Sequence, residues 1–120
     1  MRHHRDSRRG VLGDCGACHC TQCRKRTGHY FASADVPRAA LTVTGDDKLN
    51  WFESSPGIRR GFCSVCGSVL FWDQLGRDFI AVAMGAFDQP TGAILTKHIF
   101  VADRGDYYTI GDGVPQFPAR

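Results

Sequence analysis

The sequence lacks the long apolar run that a membrane-spanning helix needs. No stretch approaches the ~18 residues that cross a bilayer, so no membrane partner is expected. The basic opening Met1–Gly10 has none of the apolar core of a signal peptide, and a cytoplasmic location is the expectation. Also missing is any window of about eleven residues with a convincing helical stripe. There is no internal repeat and no low-complexity linker. Charge of one sign is scarce: the net charge is +3, and Arg2, Arg5, Arg8 and Arg9 supply much of the excess from the first ten residues. Without that tract the chain is near neutral and presents no broad basic face for nucleic acid. The tract itself reads as a solvated tail over 1–13, with a phosphate-binding arm as the alternative.

What remains, 14–120, suits one domain. A chain of 120 residues buries roughly two-thirds of its unfolded surface and can fold alone. Hydrophobic content of 42% and charged content of 22% are ordinary for a globular protein. Short β-type runs are expected at Tyr30–Val36, Leu41–Thr44, Leu49–Glu53, Ile58–Phe62, Val69–Asp73, Phe79–Met84 and His98–Ala102. Turn residues such as Gly45-Asp46-Asp47 and Ser55-Pro56-Gly57 separate them. Single helical turns fit at Thr21–Thr27 and Pro37–Ala40, and Gly111–Arg120 reads as a loose strap. The fold class expected is mainly β, with a core drawn mostly from Trp51, Phe52, Phe62, Phe71, Trp72, Phe79, Phe87 and Phe100.

The cysteines are Cys15, Cys18, Cys20, Cys23, Cys63 and Cys66. Their spacing suits metal ligation better than disulfides, because thiolates converging on one ion need only a local turn. Phe62-Cys63-Ser64-Val65-Cys66-Gly67-Ser68 reads as a zinc knuckle at a strand end, with Gly67 permitting a positive φ. A knuckle supplies two ligands and needs two more. Cys18-His19-Cys20-Thr21-Gln22-Cys23 offers three thiolates from one loop. Two readings stay open on spacing alone. In one, the loop completes the knuckle's zinc as a ribbon, with Cys20, Cys23, Cys63 and Cys66 as ligands. In the other it forms a separate three-cysteine centre with an open position for a substrate sulfur.

Cys18-His19-Cys20-Thr21-Gln22-Cys23-Arg24-Lys25 followed by Thr27-Gly28 resembles the CHC-x-x-CR-x-x-TG motif of the glutathione-dependent formaldehyde-activating enzyme family, which includes centromere protein V. The resemblance continues through Arg60–Ser68 and Leu70-Phe71, then His98–Asp103 and Asp106-Tyr107-Tyr108. It implies an Mss4-like β-sheet domain with zinc-binding loops. It implies that Cys18, Cys20 and Cys23 hold a reactive, catalytic zinc, and that Cys63 and Cys66 form half of a structural zinc site. It also implies a carbon–sulfur lyase that joins a glutathione-like thiol to an aldehyde such as formaldehyde. The family's opening C-x-C pair, which completes the structural zinc, has no counterpart here. Cys15, His3 and His4 are the substitutes at hand, and a truncated, inactive relative is an alternative. His19 and His29 are candidate proton donors. Arg24, with Lys25 and Arg26, is placed to meet glutathione carboxylates. Self-association is left open.

Overall fold

The computed structural model describes residues 2–4 and 13–120. Among the described residues, nine strands and one α-helix are arranged in order β1 (Arg2–His4), β2 (Gly13–Cys18), α1 (Thr21–Thr27), β3 (Phe31–Pro37), β4 (Thr42–Thr44), β5 (Leu49–Ser55), β6 (Ile58–Cys63), β7 (Val69–Gln74), β8 (Phe79–Ala83) and β9 (Ala93–Ile99). The mainly β expectation is met. β1 and β4 form a small two-stranded sheet, and the other seven form one sheet in the order β5-β6-β7-β8-β3-β2-β9. All pairs in the large sheet are antiparallel except β2 with β9.

Of the tail expected over 1–13, Arg2–His4 instead pair as a strand with Thr42–Thr44, and Gly13 opens β2. Residues 1 and 5–12 of that tail lie outside the described residues. β2 itself was not expected, because its cysteines and glycines read as a ligand loop. The burial of Cys15 and Ala17 beside the more open Asp14, Gly16 and Cys18 shows the period-two alternation that makes it a strand. β9 covers Ala93–Ile99, where the sequence suggested His98–Ala102. Its polar Thr96-Lys97 hid the run, and pairing with β2 defines it.

The core sits between β3, β6, β7 and β8. Val36, Cys63, Leu70, Phe71, Ile80, Val82 and Phe87 form one buried cluster. Of the aromatics expected there, Phe71 and Phe87 are buried, Phe52 is exposed, and the rest are half-buried. Trp51 stacks on Phe71 with ring centroids 5.8 Å apart, across the intervening β6. Only a glycine allows that contact: a Cβ on Gly61 would lie 2.9 Å from Phe71 Cδ2 and 3.0 Å from Trp51 Cζ3.

The C-terminal segment is not loose. His98 N–H donates to Pro115 O at 2.9 Å, and Phe117 N–H donates to His98 O at 2.9 Å. Phe100 and Val101 N–H donate to Ala119 O and Phe117 O. The strap thereby occupies the backbone N–H and C=O of His98 at the end of β9 and the N–H groups of Phe100, Val101 and Ala102 just beyond it.

Candidate metal centre

The chain runs from the end of β2 at Cys18 almost directly into α1. Cys20 is the N-cap residue, in extended conformation, and its sulfur accepts the Cys23 N–H at 3.3 Å. Sulfur here takes the role that a Ser or Asp oxygen plays at most helix starts. One turn therefore caps the helix and brings Cys20 to Cys23, while Cys18 joins from the strand end. The three sulfurs lie within 4.8 Å of one another, the one group of three or more ligand-type side chains at that separation among the described residues. Four-coordinate zinc with Zn–S bonds of about 2.3 Å holds its sulfurs about 3.8 Å apart, so the set fits with small side-chain adjustments.

The electrostatics also favour thiolate. Arg60 on β6 is buried, and its Nη1 donates to Cys23 Sγ at 3.4 Å while Nη2 donates to Gln22 Oε1 at 3.3 Å. A buried guanidinium is tolerated where a charged partner meets it. The hydrogen bond from Cys18 and, against burial, the Arg60 guanidinium bring the Cys23 thiol down to about 5. Cys18 moves the other way, because it keeps the proton it shares with Cys23 and is itself buried. Zinc with three thiolates would carry net negative charge, and Arg60 is placed to offset it. The sequence places Arg60 in the second motif without indicating this role. Its signal was a place in the Arg60–Ser68 motif, inside a strand that ends in the apolar Phe62 and Cys63.

His19 does not face the cysteines as a free donor. It is 1% exposed and sits in a buried chain of side chains. His19 Nδ1 is hydrogen-bonded to Tyr108 OH, its Nε2 pairs with His98 Nδ1 at 2.9 Å, and His98 Nε2 meets Asp112 Oδ2 at 2.8 Å. With both imidazoles neutral, one proton arrangement satisfies all three links. Asp112 accepts from His98 Nε2–H, His98 Nδ1 accepts from His19 Nε2–H, and His19 Nδ1 accepts from Tyr108 O–H. Burial, then the neighbouring His98, push the His19 imidazole down to about 4. The bond to His98 holds the Asp112 carboxyl below its ordinary range. With His19 N–H donating to Ile99 O at 3.0 Å, the residue between Cys18 and Cys20 is anchored through both backbone and ring. His98 is the link, and Tyr108 and Asp112 are the partners at the two ends, to which the sequence alone gave no role.

His29 is half-buried, and its Nδ1 lies 2.8 Å from Tyr107 OH. It is the more accessible of the two candidate donors. Arg24, Lys25 and Arg26 form the last turn of α1. Of the three, Arg26 lines a cleft of about 690 Å³, which runs past Thr27, Tyr30 and Phe31 to Cys63, Cys66, Gly67 and Ser68. Its guanidinium lies over the rings of Phe52 and Phe62.

The knuckle forms as a turn. Gly67 N–H donates to Cys63 O at 2.7 Å, Cys63 N–H to Ser68 O at 2.9 Å, and Gly67 has φ 79°, as the sequence suggested. Cys63 is buried and Cys66 exposed. Neither joins the Cys18, Cys20 and Cys23 group, so the single four-cysteine ribbon is not formed. Nor does any third ligand-type side chain among the described residues gather with them, Cys15 included. Cys63 and Cys66 would supply two of the four ligands that a structural zinc takes, and the side chains of His3 and His4, the other substitutes expected, lie outside the described residues.

The family model described as glutathione-dependent formaldehyde-activating enzyme matches residues 13–103. An Aspergillus terreus protein, provisionally named as a glutathione-dependent formaldehyde-activating enzyme, is 40% identical over 57 residues, which span 46% of this chain and 30% of that protein. The chain thus matches under a third of that relative's length. A crystal structure of a Rhodobacter sphaeroides protein shares the fold with a TM-score of 0.55, at 20% identity, over 86% of this chain and 80% of that one.

Proposed function

The chain belongs to the glutathione-dependent formaldehyde-activating enzyme family, and from that premise we propose that it is a zinc-dependent carbon–sulfur lyase, one that joins a glutathione-like thiol to an aldehyde. The observation that carries the reading is the convergence of Cys18, Cys20 and Cys23 within 4.8 Å, with Arg60 against one of the sulfurs. Three protein thiolates would hold the ion, and a bound zinc supplies acidity that turns a substrate thiol into a thiolate at neutral pH.

The rest falls to side chains of this chain. Arg60 stabilises Cys23 as thiolate and keeps the three-sulfur set from repelling itself apart. The His19–His98–Asp112 chain fixes the segment carrying Cys18 and Cys20, so that the ligands are preorganised. His19 is neutral and enclosed at neutral pH, so the proton needed by the alkoxide of the adduct comes from elsewhere. His29, paired with Tyr107 near the end of α1, is the donor we assign. Arg26 and, two residues earlier, Arg24 offer guanidinium groups to the thiol's carboxylates.

The test is turnover of glutathione and formaldehyde by zinc-loaded protein, with metal content measured on the same sample. Cys20→Ser is expected to lower activity at least ~100-fold while the fold persists, since loss of one ligand opens the ion to exchange. Turnover at the unsubstituted level in that variant overturns the reading.

A further inference from the structure

The ring of His29 is oriented by a tyrosine, in the place where a carboxylate or backbone carbonyl often serves a histidine. Its Nδ1 lies 2.8 Å from Tyr107 OH, and that hydroxyl in turn lies 3.4 Å from Gly28 O. Three tyrosine rings surround the imidazole. The centroids of Tyr30, Tyr108 and Tyr107 lie 4.5, 4.6 and 5.5 Å from its own. Tyr107 is 59% exposed, so burial of its ring does not explain where the ring sits. Gly105 makes the place: a Cβ there would collide with the ring, 2.9 Å from Cδ1. The ring also lies against Tyr108, with centroids 4.8 Å apart. The backbone of His29 is fixed as well. Its N–H donates to Thr27 Oγ1 at 3.2 Å, and the same Oγ1 lies 2.9 Å from Cys23 O. His29 is thus tied to the helix that carries the cysteine ligands, through its backbone at Thr27 and through its ring at Tyr107.

We propose that Tyr107 is a positioning residue for His29: its hydroxyl keeps a proton on Nδ1, so that Nε2 is the nitrogen that gives and regains a proton. The kinetic consequence rests on the lyase reading above; the proton arrangement does not. The links run in one direction. His29 Nδ1–H donates to Tyr107 OH, and the hydroxyl proton goes to Gly28 O, so each donor has an acceptor. The reverse arrangement, with Tyr107 O–H donating to Nδ1, needs a bare Nδ1. It is lost whenever the ring is an imidazolium, because both nitrogens then carry protons. The first arrangement serves both states. As the imidazolium protonates the alkoxide of the adduct, the Nε2–H bond breaks and its electron pair stays on nitrogen. An O–H bond forms on the adduct, and nothing at Nδ1 has to turn. Water returns the proton to Nε2 for the next turnover.

The test is nitrogen NMR of the full zinc-loaded chain at about pH 9, well above the ordinary imidazole pKa of ~6.5. The signals of His29 are identified by their loss in His29→Gln. The parent is expected to hold the neutral ring as the Nδ1–H tautomer, and Tyr107→Phe to shift it to Nε2–H. Tyr107→Phe alters one exposed hydroxyl, so zinc content and melting temperature should match the parent. Its kcat with glutathione and formaldehyde should fall ~10-fold at unchanged KM for the thiol, since only proton transfer is disturbed. A parent ring that carries its proton on Nε2, or the same tautomer in parent and Tyr107→Phe, overturns the proposal. So does a parental kcat in Tyr107→Phe. A parent that does not turn over these substrates sinks the lyase reading instead, and the tautomer alone then decides the role of Tyr107.

Discussion

Arg60 shows how much one side chain contributes at this site. It lies 4% exposed with its guanidinium against Cys23 Sγ, and its other nitrogen fixes Gln22. Arg60→Met keeps most of the volume and removes the charge and both hydrogen bonds. The Cys23 thiol should then rise from about 5 towards its ordinary range, and zinc affinity should fall ~10- to 100-fold, the usual scale for losing a group that supports a metal ligand. Chelator competition on zinc-loaded protein reads the affinity, and the pH profile of thiol alkylation in zinc-free protein reads the shift. Arg60→Lys should recover part of the affinity, because charge returns without the two-pronged geometry. Equal zinc retention in Arg60→Met and the parent would show that the guanidinium serves packing alone. The cysteines themselves were legible, since thiols at this spacing have few other uses. Arg60 was not, because only the fold brings β6 beside α1.

At the scale of elements, the strands with alternating or apolar runs were legible within a residue or two, and α1 at Thr21–Thr27 was legible in full. β2 and β9 were not, because they stabilise one another: each is a short, Gly- or Lys-bearing run that becomes a strand by parallel pairing. The sheet's packing depends on details of the same kind. Gly61→Ala would press a methyl into Phe71 and Trp51 from opposite sides, and overpacking of this sort costs about 1–3 kcal/mol. Chemical denaturation should show that loss with an unchanged denaturant slope; no loss would mean the two rings separate freely. Asp73 on β7 is a second case. Its side chain is wholly enclosed and accepts from Arg38 Nη2 at 2.7 Å and from Arg59 Nε at 2.9 Å. Burial alone would raise its carboxyl, but the two guanidinium groups win and hold it below the ordinary value. The unfolded chain therefore takes up this proton first on acidification. The stabilisation is fully present above about pH 4 and is lost as the pH falls through the lower, folded value. Asp73→Asn should cost about 1–3 kcal/mol at neutral pH and flatten the acid limb of stability against pH. An acid limb as steep as the parent's would place the proton uptake on other groups.

Across the whole molecule, the C-terminal strap couples the far end of the chain to the metal loop. Residues 115–119 bond the backbone of His98, Phe100, Val101 and Ala102 at and just beyond the end of β9, and Asp112 holds the ring of His98, which holds His19 between Cys18 and Cys20. Removing residues 111–120 would open the edge of β9 at His98 and would free the outer nitrogen of a buried imidazole. Two separable losses follow. The open edge should lower the melting temperature and promote concentration-dependent association, read by light scattering. The loosened His98–His19 pair should weaken zinc retention ~10-fold or more, even at concentrations where the truncated chain is monomeric. Asp112→Asn separates the two effects, because the strap keeps its backbone bonds while the link to His98 Nε2 loses its charge. That variant should show the zinc loss in part and the association not at all. Zinc retention unchanged in both variants would mean that the three cysteines are positioned by β2 and α1 alone, with the histidine chain serving only to fill the space behind them.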